Sequence, residues 1–274
     1  MEVHETAFVT CAFRAMHEEL SQDPYARLWI DEPIRELSQQ YLQDVTPEES
    51  VAHSLRNRFF LDTLKHLVKH NQVEFLINFG CGFSMYPFLL PDTLKHIEID
   101  LPNVIDYKQQ RIDYWQKKNT LPQRDIHHIG CNFGSDDFSV LLEKIRSIKG
   151  TASSFILLEG VLFFLNGEQT DDLFNLFREI QAPNDTLGSV SFRQEDTGNL
   201  AFQRLLQFIK SVSGDPHAPV HYQTVEDTFY KQLPSYRLSD HQDFYSMADT
   251  SGYQPRHKPD MIINEQFYVL TRTS

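Results

Sequence analysis

The segment Phe75-Leu76-Ile77-Asn78-Phe79-Gly80-Cys81-Gly82, followed by Ile97-Glu98-Ile99-Asp100, constrains this chain more than any other. An apolar run of strand length stops at two glycines one residue apart, and an acid closes a second such run. Glycines at a strand end let the backbone turn sharply and approach a ligand that a Cβ would exclude. Asp100 lies 20 residues beyond Gly80, where nucleotide-binding α/β folds place the carboxylate that grips ribose hydroxyls. The pattern reads as the nucleoside pocket of a doubly wound sheet. A dinucleotide fingerprint also needs a small residue at position 85, where a pyrophosphate would be cradled. Here that residue is Met85, with Tyr86-Pro87 after it. The crowding favours an adenosyl cofactor without phosphates, such as S-adenosylmethionine, over NAD.

Strands and helices alternate through the chain. The expected strands are 74–79, 95–99, 126–130, 154–158 and 187–193, with Tyr236-Arg237-Leu238 and Phe267-Tyr268-Val269-Leu270 as final strands. This alternation predicts an α/β fold with a mainly parallel sheet covered on both faces. Phe155-Ile156-Leu157-Leu158 lacks polar alternation, as a central buried strand should. Ahead of the sheet, residues 6–43 look helical, with Phe8, Cys11, Ala12, Ala15 and Met16 at helical spacing and a break at Ser21-Gln22-Asp23-Pro24. Thr46-Pro47-Glu48-Glu49 reads as a helix start. Thr46 would be the N-cap, Pro47 the first helical residue, and Glu49 the closing member of a capping box. The helix from 47 to about 70 would turn Val51, Leu55, Phe59, Leu64 and Leu67 inward. Residues 196–233 have aromatic helical spacing broken at Gly214-Asp215-Pro216, and read as an insertion over the substrate side. The length suits one domain with an elaboration. Its parts would be a helical cap (1–72), a cofactor-binding core (73–195), the insertion (196–235) and the final strands (236–274).

Charge and cysteine usage narrow the partners. A net charge of −13 without a basic run argues against nucleic acid and for a small, polar or peptidic substrate. Cys11, Cys81 and Cys131 are widely spaced, which fits a reducing cytoplasm. The acidic start Met1-Glu2-Val3-His4-Glu5 does not resemble a signal peptide, and no apolar run reaches membrane-spanning length. His66 and His70 share a helix face without a third ligand, so no metal is expected. His127-His128 reads as structural, and hydrolase and kinase motifs are missing.

Glu159 is the clearest anomaly, an acid between Leu158 and the apolar run Val161–Leu165. Burying a carboxylate without a partner costs several kcal/mol, so it must meet a cation, a donor cluster or a cofactor. Arg56, on the helix before the first strand, could be a surface residue or the fork that grips a carboxylate. Asp100 could instead cap a helix.

Together, Asp23-Pro24-Tyr25-Ala26, Arg56-Asn57-Arg58-Phe59-Phe60, Asn78-Phe79-Gly80-Cys81-Gly82, Glu98-Ile99-Asp100-Leu101-Pro102 and Leu158-Glu159-Gly160-Val161-Leu162 resemble the leucine carboxyl methyltransferase family. That family includes bacterial polyketide O-methyltransferases of the tetracenomycin type. The resemblance runs from about residue 7 to about residue 195. It implies a class I S-adenosylmethionine-dependent methyltransferase fold: a Rossmann-like, seven-stranded sheet with N-terminal helices and a lid insertion. It also implies roles. Arg56 would grip the methionine carboxylate, Gly80 and Gly82 would line the methionine and ribose, Asp100 would hold the ribose hydroxyls, and Glu159 would face the amino end. Asn132-Phe133 stands where the family usually has Asp-Leu against adenine, and Gly80-Cys81-Gly82-Phe83-Ser84-Met85 replaces the common Gly-Ala-Gly-x-Asp-Thr.

The expected reaction is O-methylation of a carboxylate or acidic hydroxyl of a small metabolite. Alternatives are methylation of a protein C-terminus and a cofactor-binding protein without catalysis. Arg193 and Gln194, past the fifth strand, could orient the acceptor, although a salt bridge would equally account for Arg193. No convincing base stands at a strand end, with Asp196 and His217 as nominal candidates.

Overall fold

The computed structural model describes residues 3–212 and 220–273, so Gly214-Asp215-Pro216 and His217 lie outside the described residues. The chain opens with helices α1 (Val3–Met16), α2 (Glu18–Ser21), α3 (Glu32–Asp44) and α4 (Glu49–Lys69). Strand β1 (Phe75–Phe79) follows, then α5 (Tyr86–Leu89), β2 (Lys95–Asp100), α6 (Pro102–Lys117), β3 (Ile126–Gly130) and α7 (Phe138–Lys149). Next come β4 (Ser154–Leu158), α8 (Gly167–Ile180), β5 (Thr186–Ser191), α9 (Leu200–Val212) and α10 (Asp227–Gln232). Last are β6 (Tyr236–Asp243), α11 (Phe244–Thr250) and β7 (Gln266–Arg272).

The described residues form one seven-stranded sheet in the order β3-β2-β1-β4-β5-β7-β6. All neighbours pair in parallel except β7, which runs antiparallel to both β5 and β6. The strand order reverses between β1 and β4, the switch point at which open α/β sheets bind ligands. Side chains alternate across the sheet as the pleat requires. Ile77, Phe79, Ile156 and Leu158 pack with Leu141, Ile145, Leu173 and Phe177 of α7 and α8. Leu76, Phe155 and Leu157 pack on the other face with Leu55, Phe60, Leu64 and Phe244 of α4 and α11. Burial on both faces explains why β4 carries an unbroken apolar run.

The start of α4 departs from the sequence reading. The helix begins at Glu49, with Glu48 at the cap position and no side-chain cap bond. Thr46 instead donates its hydroxyl to the Met261 carbonyl across the chain. Glu48 accepts from the Tyr253 hydroxyl, the Arg256 amide and the His257 ring, each within 2.8 Å. Tertiary partners claimed these side chains, and the capping box did not form. One inward assignment also changes: Leu67 is only partly buried. The fifth strand stops at Ser191, two residues short of expectation.

Candidate functional site

The carboxyl ends of β1, β2 and β4 deliver Gly80, Asp100 and Glu159 to one rim of the sheet. Gly80 and Gly82 have φ of +68° and +43°, a region L side chains rarely adopt. A Cβ on Gly80 would lie 2.1 Å from Val161 Cγ2, so the turn after β1 and the loop after β4 touch only because residue 80 is glycine. The turn is tied to β2. Gly80 and Cys81 amides donate to the Ile99 carbonyl at 2.8 and 3.1 Å. Gly82 N–H donates to Asp100 Oδ2 at 2.7 Å, and Leu101 N–H to Asp100 Oδ1 at 2.7 Å. Asp100 therefore belongs to the glycine turn and is not the N-cap of α6, a position that Leu101 holds. Burial raises the Asp100 pKa, while the two amides and the Lys108 ammonium oppose that rise. Lys108, wholly buried on α6, bonds Glu98 Oε1 at 2.8 Å just inside the turn.

Opposite the turn stands an ionic corner. Arg56 on α4 reaches Glu159 Oε1 with Nε at 3.3 Å and Glu265 Oε1 with Nη1 at 2.6 Å. The Tyr86 hydroxyl donates to Glu159 Oε2 at 2.9 Å. Burial would lower the Arg56 pKa, but Glu265 and Glu159 outweigh it and raise it. Glu265 keeps 4% of its side-chain exposure and Glu159 keeps 14%, so Glu159 is the carboxylate with an open face. Beside this corner, Arg14 on α1 pairs with Asp23 at 3.0 Å and donates to the Phe83 carbonyl, linking the helical cap to the glycine turn. Phe8 of α1 stacks on Phe83 with ring centroids 4.1 Å apart.

Other sequence-predicted residues lie in their own local networks. Asn132 is exposed, and its side-chain oxygen accepts the Gly134 amide at 3.0 Å. Phe133 packs against Phe79 at 5.8 Å and borders a surface cavity of about 730 Å³ also lined by Phe138, Gln169, Asp172 and Arg178. Arg193 is held by Glu195 at 3.0 Å and Asp196 at 3.4 Å. The Gln194 side chain bonds Thr197 and Thr224. Asp196 has a pKa raised by burial and opposed by Arg193. His128 lies 3.3 Å from Glu98 inside the sheet, and the His66 and His70 rings stand 4.3 Å apart on α4.

Sequence reasoning missed Tyr86, Glu265, Arg14, Glu49 and His53. Glu265 carried a usable signal, since it stands between Ile262-Ile263-Asn264 and the final strand much as Glu159 follows β4. Tyr86 was read only as bulk that would crowd a pyrophosphate.

Comparison with known proteins follows the same lines. The family model described as leucine carboxyl methyltransferase matches residues 7–178. No curated protein matches the chain. Among solved structures, a DUF574 family protein from Streptomyces avermitilis aligns with a TM-score of 0.62 at 9% identity, covering 97% of each chain. A Thermobifida fusca protein described, by inference, as a methyltransferase aligns at 0.60 and 11% identity, covering 89% of this chain and 90% of that one. The N-methyltransferase NodS from Bradyrhizobium japonicum, in complex with S-adenosyl-L-homocysteine, aligns at 0.50 and 15% identity, covering 93% and 99%. At these identities the likeness is one of fold.

Proposed function

The chain belongs to the leucine carboxyl methyltransferase family, and from that premise we propose that it transfers the methyl group of S-adenosylmethionine to a carboxylate or acidic hydroxyl oxygen of a small metabolite. The family is one of methyltransferases, and the seven-stranded sheet with β7 inserted antiparallel is the class I methyltransferase fold. Among the described residues no helix is long and apolar enough to cross a membrane.

The observation that carries the reading is the glycine turn pinned to Asp100 on one side of the switch point, facing the Arg56–Glu159–Tyr86 corner on the other. The residues fit the cofactor. Each Asp100 oxygen holds one backbone amide and keeps lone pairs for the ribose hydroxyls. Glu265 Oε2 is buried without a partner among the described residues, and Glu159 keeps an open face, so an ammonium would find carboxylate acceptors here. Arg56 would meet the methionine carboxylate, Gly80 and Gly82 would let the cofactor approach the backbone, and Asn132 and Phe133 would border adenine. When bound, the cofactor supplies an activated methyl carbon, and the protein's task is alignment of the acceptor oxygen with it. Met85 supports this choice over NAD: its side chain is wholly buried and its sulfur accepts the Trp29 indole N–H at 3.1 Å, so a large packed residue stands at the position where a dinucleotide fingerprint needs a small one.

Calorimetry tests the reading directly. S-adenosylmethionine or S-adenosylhomocysteine should bind with a Kd of about micromolar order, and NAD at least about ten-fold more weakly. Equal or tighter NAD binding would sink the methyltransferase assignment.

A further inference from the structure

Beneath the glycine turn lies a buried cation that the proposed function leaves without a task. Glu98 and Asp100 stand two residues apart on β2, so their side chains leave the same face of the sheet. His96 shares that face, and His128 of β3 stands opposite Glu98 in the register. Helix α6 packs over this part of the sheet. A Cβ on Gly130 would lie 3.0 Å from Pro102 Cα, so the start of α6 sits against the end of β3 only because residue 130 is glycine. The close approach brings Lys108, which has no exposed surface, to 2.8 Å from Glu98 Oε1.

Stability alone is a poor reason for an ammonium in that place. A lysine and a glutamate buried together often stabilise a fold no better than apolar residues of similar volume. The bonding here is also incomplete. Glu98 Oε2 and His128 Nε2 lie 3.3 Å apart, and neither has a hydrogen-bond partner among the described residues.

Asp100 supplies a better reason. Its two oxygens accept the Gly82 and Leu101 amides, and as a carboxylate it keeps a further lone pair on each for two ribose hydroxyls. A protonated carboxyl turns one oxygen into a donor and loses that capacity. Asp100 is 9% exposed, and burial raises its pKa, so the charged form needs support. The two amides give part of it and Lys108 gives more, while Glu98 works against it. Two other titratable groups nearby are neutral at pH 7. Burial pushes the His96 ring down to about 4 and the Cys81 thiol well up. His128 stands opposite Glu98, whereas Asp100 has Gly130 opposite it. Lys108 itself stays charged, because the groups around it, Glu98 and Asp100 among them, outweigh its burial.

We propose that Lys108 is a positioning residue for the cofactor's ribose: its ammonium, held by Glu98 beneath the turn, keeps Asp100 a carboxylate with lone pairs free for the ribose hydroxyls. This rests on the methyltransferase reading and adds to it a residue that acts on the cofactor only through Asp100.

The test compares two variants of the full chain. Glu98→Gln keeps the ammonium, and Glu98→Gln with Lys108→Met removes it without stranding a buried carboxylate. Two quantities are read in each: the carbon-13 carboxyl titration of Asp100 in the unliganded protein, and the Kd for S-adenosylhomocysteine from about pH 4 to about pH 8 by calorimetry. A neighbouring cation lowers a carboxyl pKa, so its removal should raise the Asp100 midpoint by about one pH unit from the first variant to the second. The pH below which cofactor affinity falls should rise by the same amount. If the double variant does not fold, Glu98→Gln with Lys108→Gln is read in the same way. Equal Asp100 midpoints, or an affinity lowered by one constant factor at every pH, would make Lys108 a structural partner of Glu98 and overturn the inference. Failure of S-adenosylhomocysteine to bind the parent chain would instead remove the methyltransferase reading, and the ribose role with it, whatever the Asp100 titration shows.

Discussion

The glycine turn and the ionic corner face each other across the switch point and are built on opposite plans. In the turn, one carboxylate, Asp100, is shared between two backbone amides from residues 82 and 101, so side chain and loop define each other. In the corner, one guanidinium is shared between carboxylates from residues 159 and 265, and two acidic oxygens and a ring nitrogen are left over. The first arrangement is nearly satisfied as it stands. The second is not, and what it lacks is hydrogen-bond donors for two buried carboxylate oxygens and a ring nitrogen. Removing a group should therefore damage the turn and the corner in different ways.

The largest effect belongs to the turn. Asp100→Ala strands the Gly82 and Leu101 amides, and it also removes the carboxylate proposed to hold ribose. Hydrogen bonds to a charged group contribute roughly 1.5–3 kcal/mol, so cofactor affinity should fall about 10- to 100-fold. The melting temperature should fall with it, because a buried amide without an acceptor costs about 1–3 kcal/mol. A folded variant that binds normally in calorimetry would show that Asp100 serves the loop alone.

In the corner the two readouts should separate. Glu159→Gln keeps shape and the ability to accept the Tyr86 hydroxyl, while it leaves Glu265 to pair with Arg56. Two carboxylates on one guanidinium repel each other, so the unliganded variant should melt within about 1 kcal/mol of the parent, in either direction. Cofactor affinity should fall, since an amide cannot pair with the methionine ammonium. Should stability drop sharply with affinity unchanged, Glu159 would be a structural member of the ion pair, and the contrast with the turn would disappear.

The same contrast decides what could be read before the structure. The turn is local in sequence. A strand, two glycines and an acid 20 residues on carry their own chemistry, and so does an acid stranded at the end of β4. The sheet was legible for a similar reason: period and turn residues mark the strands, and the register follows from pairing them in parallel. The corner is assembled from distant segments. Arg56 meets Glu265 across 209 residues, and no local pattern announces that contact. Glu49 was worse than silent, because Thr46-Pro47-Glu48-Glu49 imitates a capping box while Met261, Tyr253 and His257 take its side chains elsewhere. His53 looks like an ordinary residue of an amphipathic helix until Glu49 and Phe13 are seen around it.

The smallest effect is a slope, and it tests whether the corner's deficit is real. Burial raises Glu49 to about 7, above its unfolded value, so its contribution to stability is present below about pH 4.5 and is lost as pH rises through 7. Burial, with Arg56, lowers His53 to about 3, so the unfolded chain takes up its proton first. The stability linked to neutral His53 is present above about pH 6.5 and is lost as pH falls towards 3. Between these limits the two groups pull in opposite directions, each by at most about 1.4 kcal/mol per pH unit. The parent protein should therefore show a shallow dependence from pH 6.5 to 5, measured by urea unfolding. His53→Asn removes only the acid-labile half. Relative to the parent, its stability should rise as pH falls over that window, by less than about 1.4 kcal/mol per unit, because Glu49 now acts unopposed. Parallel curves for the two proteins would mean that His53 finds a proton partner in the folded state. Its Nδ1 would then not be the unpaired buried atom that sets the corner apart from the turn.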